Sequence, residues 1–237
     1  MNEPVLARMA TLIKQWQQAA DARSDFLSCY ALMTGNMLRA VDNRDFHDPV
    51  WVGQLLQHFA DYYFVALDGY ERGDDATPPA WRLAHDATRQ PDTQTVQLLL
   101  LGINAHINYD LVLALTDMLE PDWTALTPEQ RQQRYEDHSH VNSIIAATVD
   151  SVQDQVLSPQ ARWLGWMDAA LGPVDERLAA RIIRNWREEV WQQAQHMLAT
   201  QDVEERADLR RLLSVRSVAL AEAILAMHLS PLLRDLL

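Results

Sequence analysis

Apolar residues recur every three or four positions through most of the chain, which is the pattern of amphipathic α-helices. Prolines and acidic clusters interrupt the pattern, most clearly in the loop sequence GDDATPP at 73–79. No stretch alternates between apolar and polar residues for long enough to predict a β-strand. We therefore predict an all-α fold, a single-domain bundle of about eight to ten helices over residues 1–237. The predicted helices cover 3–22, 24–39, 49–71, 80–89, 93–119, 127–155, 158–172, 175–200 and 202–228.

Several helix starts are predicted from the chemistry of capping. Ser24, Asp175 and Asp202 each stand where a side-chain oxygen can accept a hydrogen bond from the first turn. The segment Thr127-Pro128-Glu129-Gln130 provides a capping residue, a first-turn proline and a glutamine at the third helical position. A helix is therefore expected to begin there.

The helix over about 94–119 is the most apolar one, and we expect the others to pack around it. It nevertheless carries polar side chains on two faces, since consecutive residues are about 100° apart. The amide face consists of Gln97, Asn104 and Asn108, and the His–Asp face consists of His106, Asp110 and Asp117. An unpaired polar group costs about 1–3 kcal/mol when it is buried. Both faces should therefore meet partners, and we predict a polar site along this helix.

Composition narrows the classes of partner. The net charge of −13 and the pI of about 4.9 argue against nucleic acid and anionic membrane surfaces as partners. Cys29 is the only cysteine, which excludes an intrachain disulfide and a cysteine-based zinc site. The N-terminal sequence shows no basic start followed by an apolar block, so no signal peptide is expected. We expect a soluble, cytoplasmic protein, and its oligomeric state is not predicted.

The His-x-Asn-x-Asp segment is the sharpest chemical signal. His106 and Asp110 lie one helical turn apart, so that they could bind one divalent metal ion, or the carboxylate could orient the imidazole as a base. Alternatively, the two side chains only fix the packing of the helices. Asn108 is included with them as a candidate catalytic residue. The candidate metal ligands are His106, Asp110, His58, Asp137 and His138.

Five further residues are candidates for binding a substrate: Asn104, Asp61, Tyr62, Arg134 and Asn142. The helix 49–71 is expected to hold Asp61 on its inward side. Arg134 could bind a carboxylate or phosphate, or pair with Asp137 three residues later. Asn104 could present its amide to a ligand or to the backbone of another helix.

The sequence GINAHINYDL, from Gly102 to Leu111, resembles the core of an uncharacterised bacterial family of helical proteins that share Gly-Ile-Asn-Ala-His-Ile-Asn-x-Asp-Leu. Val141-Asn142 and the pair Arg187 and Trp191 are similar to later landmarks of that family. The resemblance spans most of the chain. It implies that this segment is a family hallmark, and it implies no substrate.

Two hypotheses about function follow. In the first, His106, Asn108 and Asp110 face polar groups of the helices 49–71 and 128–155, and form a small-molecule site for a hydrolytic or other proton-transfer reaction, with or without a metal ion. In the second, the protein is not an enzyme. It binds a ligand or a protein partner, and the same residues only stabilise the core.

Overall fold

The computed structural model describes residues 5–153 and 176–227. The helices are α1 Val5–Gln18, α2 Arg23–Asp42, α3 Pro49–Glu71, α4 Pro79–Ala87, α5 Thr95–Ala105, α6 Leu111–Leu119, α7 Pro128–Gln153, α8 Glu176–Ala199 and α9 Val203–Ala226. A π-helical turn, His106–Asp110, joins α5 to α6. No strand occurs within these described residues, and the predicted all-α fold is confirmed. The helix predicted over 158–172, the cap Asp175 and the helix end at 228 lie outside the described residues.

Local chemistry sets where most of these helices begin. The Thr127 hydroxyl accepts a hydrogen bond from Gln130 N at 3.2 Å, and Gln130 Oε1 accepts one from Thr127 N at 2.9 Å, as the capping sequence predicts. Asp202 likewise accepts a hydrogen bond from Glu205 N at 2.8 Å. Both predicted caps are therefore confirmed.

The cap predicted at Ser24 is wrong. Helix α2 already begins at Arg23, and Ser24 is buried inside its first turn. Asp21 precedes the helix, and its carboxylate accepts hydrogen bonds from the backbone N–H and the guanidinium of Arg23. The carboxylate therefore takes the role that the sequence pattern gave to the serine hydroxyl.

The central helix is not one continuous α-helix. At its middle, Leu111 N donates to His106 O, five residues earlier, and the turn His106–Asp110 is π-helical. Wider turns of this kind are rare and are found frequently at functional sites. Here the π turn contains two members of the predicted His–Asp face and Asn108 of the amide face.

Two apolar clusters meet at this turn. The first surrounds α5 and takes side chains from α1, α2, α3, α4 and α9, including Leu27, Tyr63 and Trp81. The second surrounds α6 and takes side chains from α2, α3 and α8, including Trp51 and Val190. Because the π turn lies between the clusters, its polar residues are surrounded by apolar packing.

The rod Thr95–Leu119 is the one stretch within the described residues that is long and apolar enough to cross a membrane. In this structure 72% of its most apolar window is buried against other helices. Burial of this extent is the property of a core helix, and it agrees with the predicted position of 94–119 at the centre of the bundle.

Gly102 allows α2 to approach the central rod closely. A Cβ atom at Gly102 would lie 2.5 Å from Phe26 Cγ, inside the van der Waals contact distance. Phe26 is itself buried, and it packs against Trp81 with a distance of 5.5 Å between ring centroids. A residue larger than glycine would push α2 away from the helices that hold the π turn.

We predict that Gly102→Ala lowers the free energy of unfolding by about 1–3 kcal/mol, the usual cost of overpacking a core. At an unhindered helical position, alanine in place of glycine instead raises the free energy of unfolding by up to about 1 kcal/mol. The change expected at Gly102 therefore has the opposite sign. Denaturant titration measures the change.

Gly35→Ala in α2 is the matched control, because the nearest atom to its added Cβ would be Arg39 Nη1 at 3.8 Å. That variant should be as stable as the wild type or more stable. Equal stability gains in both variants would contradict a close packing contact at Gly102.

Candidate functional site

Asp110 is the most deeply buried ionisable group of the π turn, with none of its surface exposed. Its Oδ2 accepts a hydrogen bond from the indole N–H of Trp81 at 2.8 Å and lies 3.3 Å from His106 Nδ1. Its Oδ1 has no hydrogen-bond partner among the described residues. Burial raises the pKa of Asp110 well above its ordinary value, and the Trp81 hydrogen bond opposes this shift only in part. Burial therefore favours the neutral carboxylic acid form of this side chain.

His106 lies among aromatic rings and is 5% exposed. Its imidazole stacks on Phe59 with a centroid distance of 3.6 Å and an interplanar angle of 8°, and Tyr30 packs edge-on at 4.2 Å. Burial lowers the pKa of His106 well below its ordinary value, so the ring is neutral. Its Nε2 makes no hydrogen bond with any described residue.

The His106–Asp110 pair is thus a neutral unit that can present either a donor or an acceptor at Nε2. If the protonated Asp110 donates a hydrogen bond to Nδ1, then Nε2 carries the imidazole hydrogen and can itself donate a hydrogen bond. If Nδ1 carries the hydrogen and donates to Asp110, then Nε2 can accept. The pair can therefore meet a hydroxyl or a carbonyl group without becoming charged.

A cavity of about 160 Å³ lies beside this pair, between α2, α3, α7, α8 and the central rod. His106 forms part of its wall, which is otherwise mainly apolar and aromatic. The apolar lining includes Tyr30, Met33, Trp51, Leu55, Phe59 and Ile107. The indole N–H of Trp51, like His106 Nε2, has no hydrogen-bond partner in the described part of the chain. The same is true of the Thr34 hydroxyl, so that three residues lining this apolar cavity carry a polar atom without a partner among the described residues.

Another part of the same cavity wall is formed by Arg187 and His138. Arg187 donates from Nη2 to His138 O at 2.7 Å and from Nε to Asn142 Oδ1 at 3.0 Å. His138 Nε2 lies 2.9 Å from Arg187 O, and its Nδ1 lies 3.4 Å from Arg187 Nη2. Burial, together with the neighbouring guanidinium, lowers the pKa of His138 well below its ordinary value, so that this ring is also neutral.

Asp137 and Arg134 have separate partners and do not pair with each other. Asp137 accepts hydrogen bonds from the backbone N–H groups of His47 and Asp48, at 2.7 and 2.9 Å. Arg134 donates to Asp48 Oδ2 at 2.7 Å and lies over the Trp51 ring. The predicted Arg134–Asp137 ion pair is therefore wrong, because both side chains fix the loop that leads into α3.

The amide face of the central rod packs against α9. Gln97 Nε2 donates to Ile224 O at 3.0 Å, and Asn104 Nδ2 donates to Ser217 O at 2.8 Å. Asn108 Nδ2 donates to Asn104 Oδ1 at 3.0 Å. The side chains predicted for substrate binding at Asn104 and for catalysis at Asn108 are thus engaged with the protein, and neither lines the cavity. Of the two alternatives given for Asn104, the structure shows the bond to another helix's backbone.

A third polar group lies on α3 and α6, outside the cavity. Asp117 Oδ2 lies 2.9 Å from His58 Nε2 and accepts a hydrogen bond from the Tyr62 hydroxyl at 2.7 Å. Asp61 is exposed and accepts a hydrogen bond from Gln57, so its predicted inward position is wrong. An α-helix carries Asp61 about 100° away from Tyr62, which faces α6.

The predicted metal site is not assembled. Its five candidate ligands fall into separate groups: His106 with Asp110, His58 with Asp117, Asp137 on two backbone amides, and His138 on Arg187. Within residues 5–153 and 176–227, no three histidine, cysteine, aspartate or glutamate side chains are placed to hold one ion. The five residues share ligand chemistry, but only His106 and Asp110 contact each other, and the remaining three have separate partners.

A family of unknown function, DUF5995, matches residues 3–227. The chain belongs to this family. No curated protein and no solved structure matches the chain. Membership in DUF5995 confirms the resemblance to an uncharacterised family that the sequence indicated, and it assigns no activity.

In this DUF5995 protein, three residues of the Gly102–Leu111 segment have distinct structural partners. Gly102 leaves room for the Phe26 ring, Asn104 donates a hydrogen bond to the backbone of α9, and Asp110 accepts one from Trp81. His106, in the same segment, lines the cavity and carries an unused polar atom.

Sequence reasoning missed several residues of the site. Trp81, Phe59 and Tyr30 surround the His106–Asp110 pair, and Arg187, which the sequence indicated only as a family landmark, forms part of the cavity wall. One signal could have pointed to Trp81, since a buried indole N–H requires an acceptor and the apolar segment 94–119 offers few carboxylates. No comparable signal indicates Phe59 or Tyr30, which follow the ordinary apolar spacing of a helix.

The neutral state of His106 should be visible in the pH dependence of stability. As the pH falls through about 6.5, the unfolded chain takes up a proton at this imidazole and the folded protein does not. The free energy of unfolding of the wild type, relative to that of His106→Phe, should therefore decrease by up to about 1.4 kcal/mol per pH unit below this value. Denaturant titrations from about pH 8 to about pH 5 measure the difference. A constant difference would contradict a neutral His106.

Asp110 should make the free energy of unfolding depend on pH in the opposite direction, with stability falling as the pH rises. The unfolded chain ionises this carboxyl above about pH 4, while the folded protein keeps it protonated because burial raises its pKa. The wild type should therefore lose stability relative to Asp110→Asn as the pH rises above that value. Asparagine retains an oxygen that can accept the Trp81 N–H. The same titrations test this expectation. If the wild type instead became more stable relative to Asp110→Asn as the pH rises, the carboxylate would be charged in the folded protein.

Proposed function

We propose that this protein binds a small, predominantly apolar molecule in the cavity beside the π turn, with His106 Nε2 as a hydrogen-bonding contact. The observation that carries the proposal is the unpartnered Nε2 of a buried histidine that lines an apolar cavity of about 160 Å³. A buried polar atom without a partner is costly, and a ligand that supplies one removes the cost.

The dimensions and the lining of the cavity support a compact ligand. Apolar cavities of about 150 Å³ accommodate benzene-sized molecules. The aromatic walls formed by Tyr30, Trp51 and Phe59 suit a flat or branched apolar body. Pockets of this type usually combine an apolar lining with a few polar groups that orient the ligand.

The neutrality of the His106–Asp110 pair favours binding over hydrolysis. A general base must accept a proton at the working pH, and the lowered pKa of His106 makes its imidazole a weak base. Asp110, being neutral, does not supply the negative charge that stabilises an imidazolium in hydrolytic enzymes. The hydrolytic or proton-transfer reaction expected from the sequence stays a prediction.

The rival hypothesis is that the pair serves only to pack the core. Packing alone accounts for the amide face, where Asn104 and Asn108 have protein partners. It does not account for His106 Nε2 and Asp110 Oδ1, which are buried without any partner in the described residues. A phenylalanine at 106 would retain the stacking on Phe59 and remove an unpaired nitrogen.

Phenol and toluene form a matched pair of probes, since they have nearly the same shape and phenol carries a hydroxyl group where toluene carries a methyl group. We expect the wild type to bind phenol about tenfold more tightly than toluene, because Nε2 meets the hydroxyl. In His106→Phe the order should reverse, since a purely apolar site leaves the hydroxyl unpaired. Calorimetric titration of both probes measures the affinities.

His196→Phe is the matched control, because His196 is exposed on α8 and the substitution is the same. This variant should keep the preference for phenol. Failure of the wild type to bind either probe would refute the proposal. So would an unchanged preference in a folded His106→Phe.

A further inference from the structure

The second polar part of the cavity wall carries a positive charge that no carboxylate of the described residues compensates. Arg187 is 5% exposed, and its hydrogen-bond acceptors are uncharged: His138 O, His138 Nδ1 and Asn142 Oδ1. No carboxylate of the described residues lies within 4.0 Å of its guanidinium nitrogens. Burial lowers the pKa of Arg187 to about 10, which leaves the side chain a cation at neutral pH.

The nearest acidic side chains already have other partners. Asp137 also lines the cavity, but its two oxygens accept the backbone N–H groups of His47 and Asp48. Glu188 follows Arg187 on α8, and its carboxylate accepts hydrogen bonds from the Tyr135 hydroxyl and Gln192. Neither carboxylate is arranged to form a forked ion pair with Arg187.

The guanidinium is held firmly, and it retains donor capacity. Nε and Nη2 are fixed by Asn142 and by His138, whose neutral ring accepts at Nδ1 and donates from Nε2 to Arg187 O. Nη1 makes no hydrogen bond with any described residue. A planar guanidinium with free N–H groups matches the geometry of a carboxylate, and burial strengthens such a bond.

We propose that the ligand is an organic anion, a small molecule with an apolar body and one carboxylate, whose carboxylate binds Arg187 while its body fills the cavity. This inference rests on the proposed function, since it requires the cavity to bind a ligand. It adds the chemical class: an apolar monocarboxylic acid, with His106 available for a further hydroxyl or carbonyl group. The carboxylate supplies the counter-charge that the described chain does not provide to Arg187.

Benzoate and benzamide test the charge separately from the shape, because they are nearly isosteric. We expect the wild type to bind benzoate at least about tenfold more tightly than benzamide. In Arg187→Gln this preference should disappear, while toluene still binds. Arg187→Lys retains the charge and should keep part of the preference. Calorimetric titration gives the affinities, and thermal denaturation identifies any variant that does not fold.

Arg184→Gln is the matched control, since Arg184 lies one turn earlier on α8 and is exposed. It should leave the preference for benzoate unchanged. The preference should also persist at high salt, because a buried ion pair is screened much less than a surface pair.

The outcomes separate the two proposals. If the wild type binds toluene and phenol but shows no preference for benzoate, the carboxylate assignment is overturned and the cavity proposal stands. The carboxylate assignment is also overturned, and the cavity proposal also stands, if Arg187→Lys folds, binds toluene and shows no preference for benzoate. If no probe binds, the cavity proposal fails and the carboxylate assignment fails with it. A preference for benzoate that Arg184→Gln abolishes would place the anion on the surface and overturn the assignment to Arg187.

Discussion

The hydrogen bond from Trp81 to Asp110 is the interaction on which the organisation of the core depends. It joins α4 to the π turn, at the point where the two apolar clusters meet. A carboxyl group at this depth is tolerated only when it is neutral or well paired, and it has one strong donor and one weak contact with His106. Burial favours the neutral form of His106 as well, and a neutral Asp110 supplies no charge that would stabilise an imidazolium. The aromatic surroundings of the pair follow from the same requirement, because rings can cover a neutral polar group without competing for its hydrogen bonds.

The central rod divides its polar residues between two tasks. The amide face binds the backbone of α9 through Gln97 and Asn104, which fixes the position of that helix. Amides suit this task because each can donate and accept without a charge to desolvate. The other face leaves atoms unpaired at His106 and Asp110, next to a cavity. Natural proteins leave buried polar atoms unpaired mainly where strain, a functional role or a bound water or ion explains them, and the proximity to a cavity is what supports a ligand in this case.

The fold could be predicted from the sequence because its determinants are local. Apolar spacing and capping chemistry act within one helical turn, and they place the starts at Thr127 and Asp202. At the start of α2, however, Asp21 accepts the Arg23 N–H, while Ser24 is buried within the first turn and does not act as the cap. The π turn was not predicted, because one widened turn leaves the apolar periodicity of the rod almost unchanged.

The site was only partly predictable, because it combines residues from six elements: α2, α3, α4, α7, α8 and the central rod. His106 and Asp110 are close because they are four residues apart, which a sequence shows directly. Trp81, Phe59 and Arg187 reach the same region only through the packing of α4, α3 and α8, and nothing in their local spacing distinguishes them from core or surface residues. The metal ligands were misassigned for the same reason, since ligand chemistry is visible in a sequence but convergence is not. What distinguishes Arg187 is that no described residue supplies its counter-charge, a property that no single segment of the chain can reveal. Arg187 and His106 line the same cavity, and the proposal of a ligand with one anionic end and one apolar body rests on this arrangement.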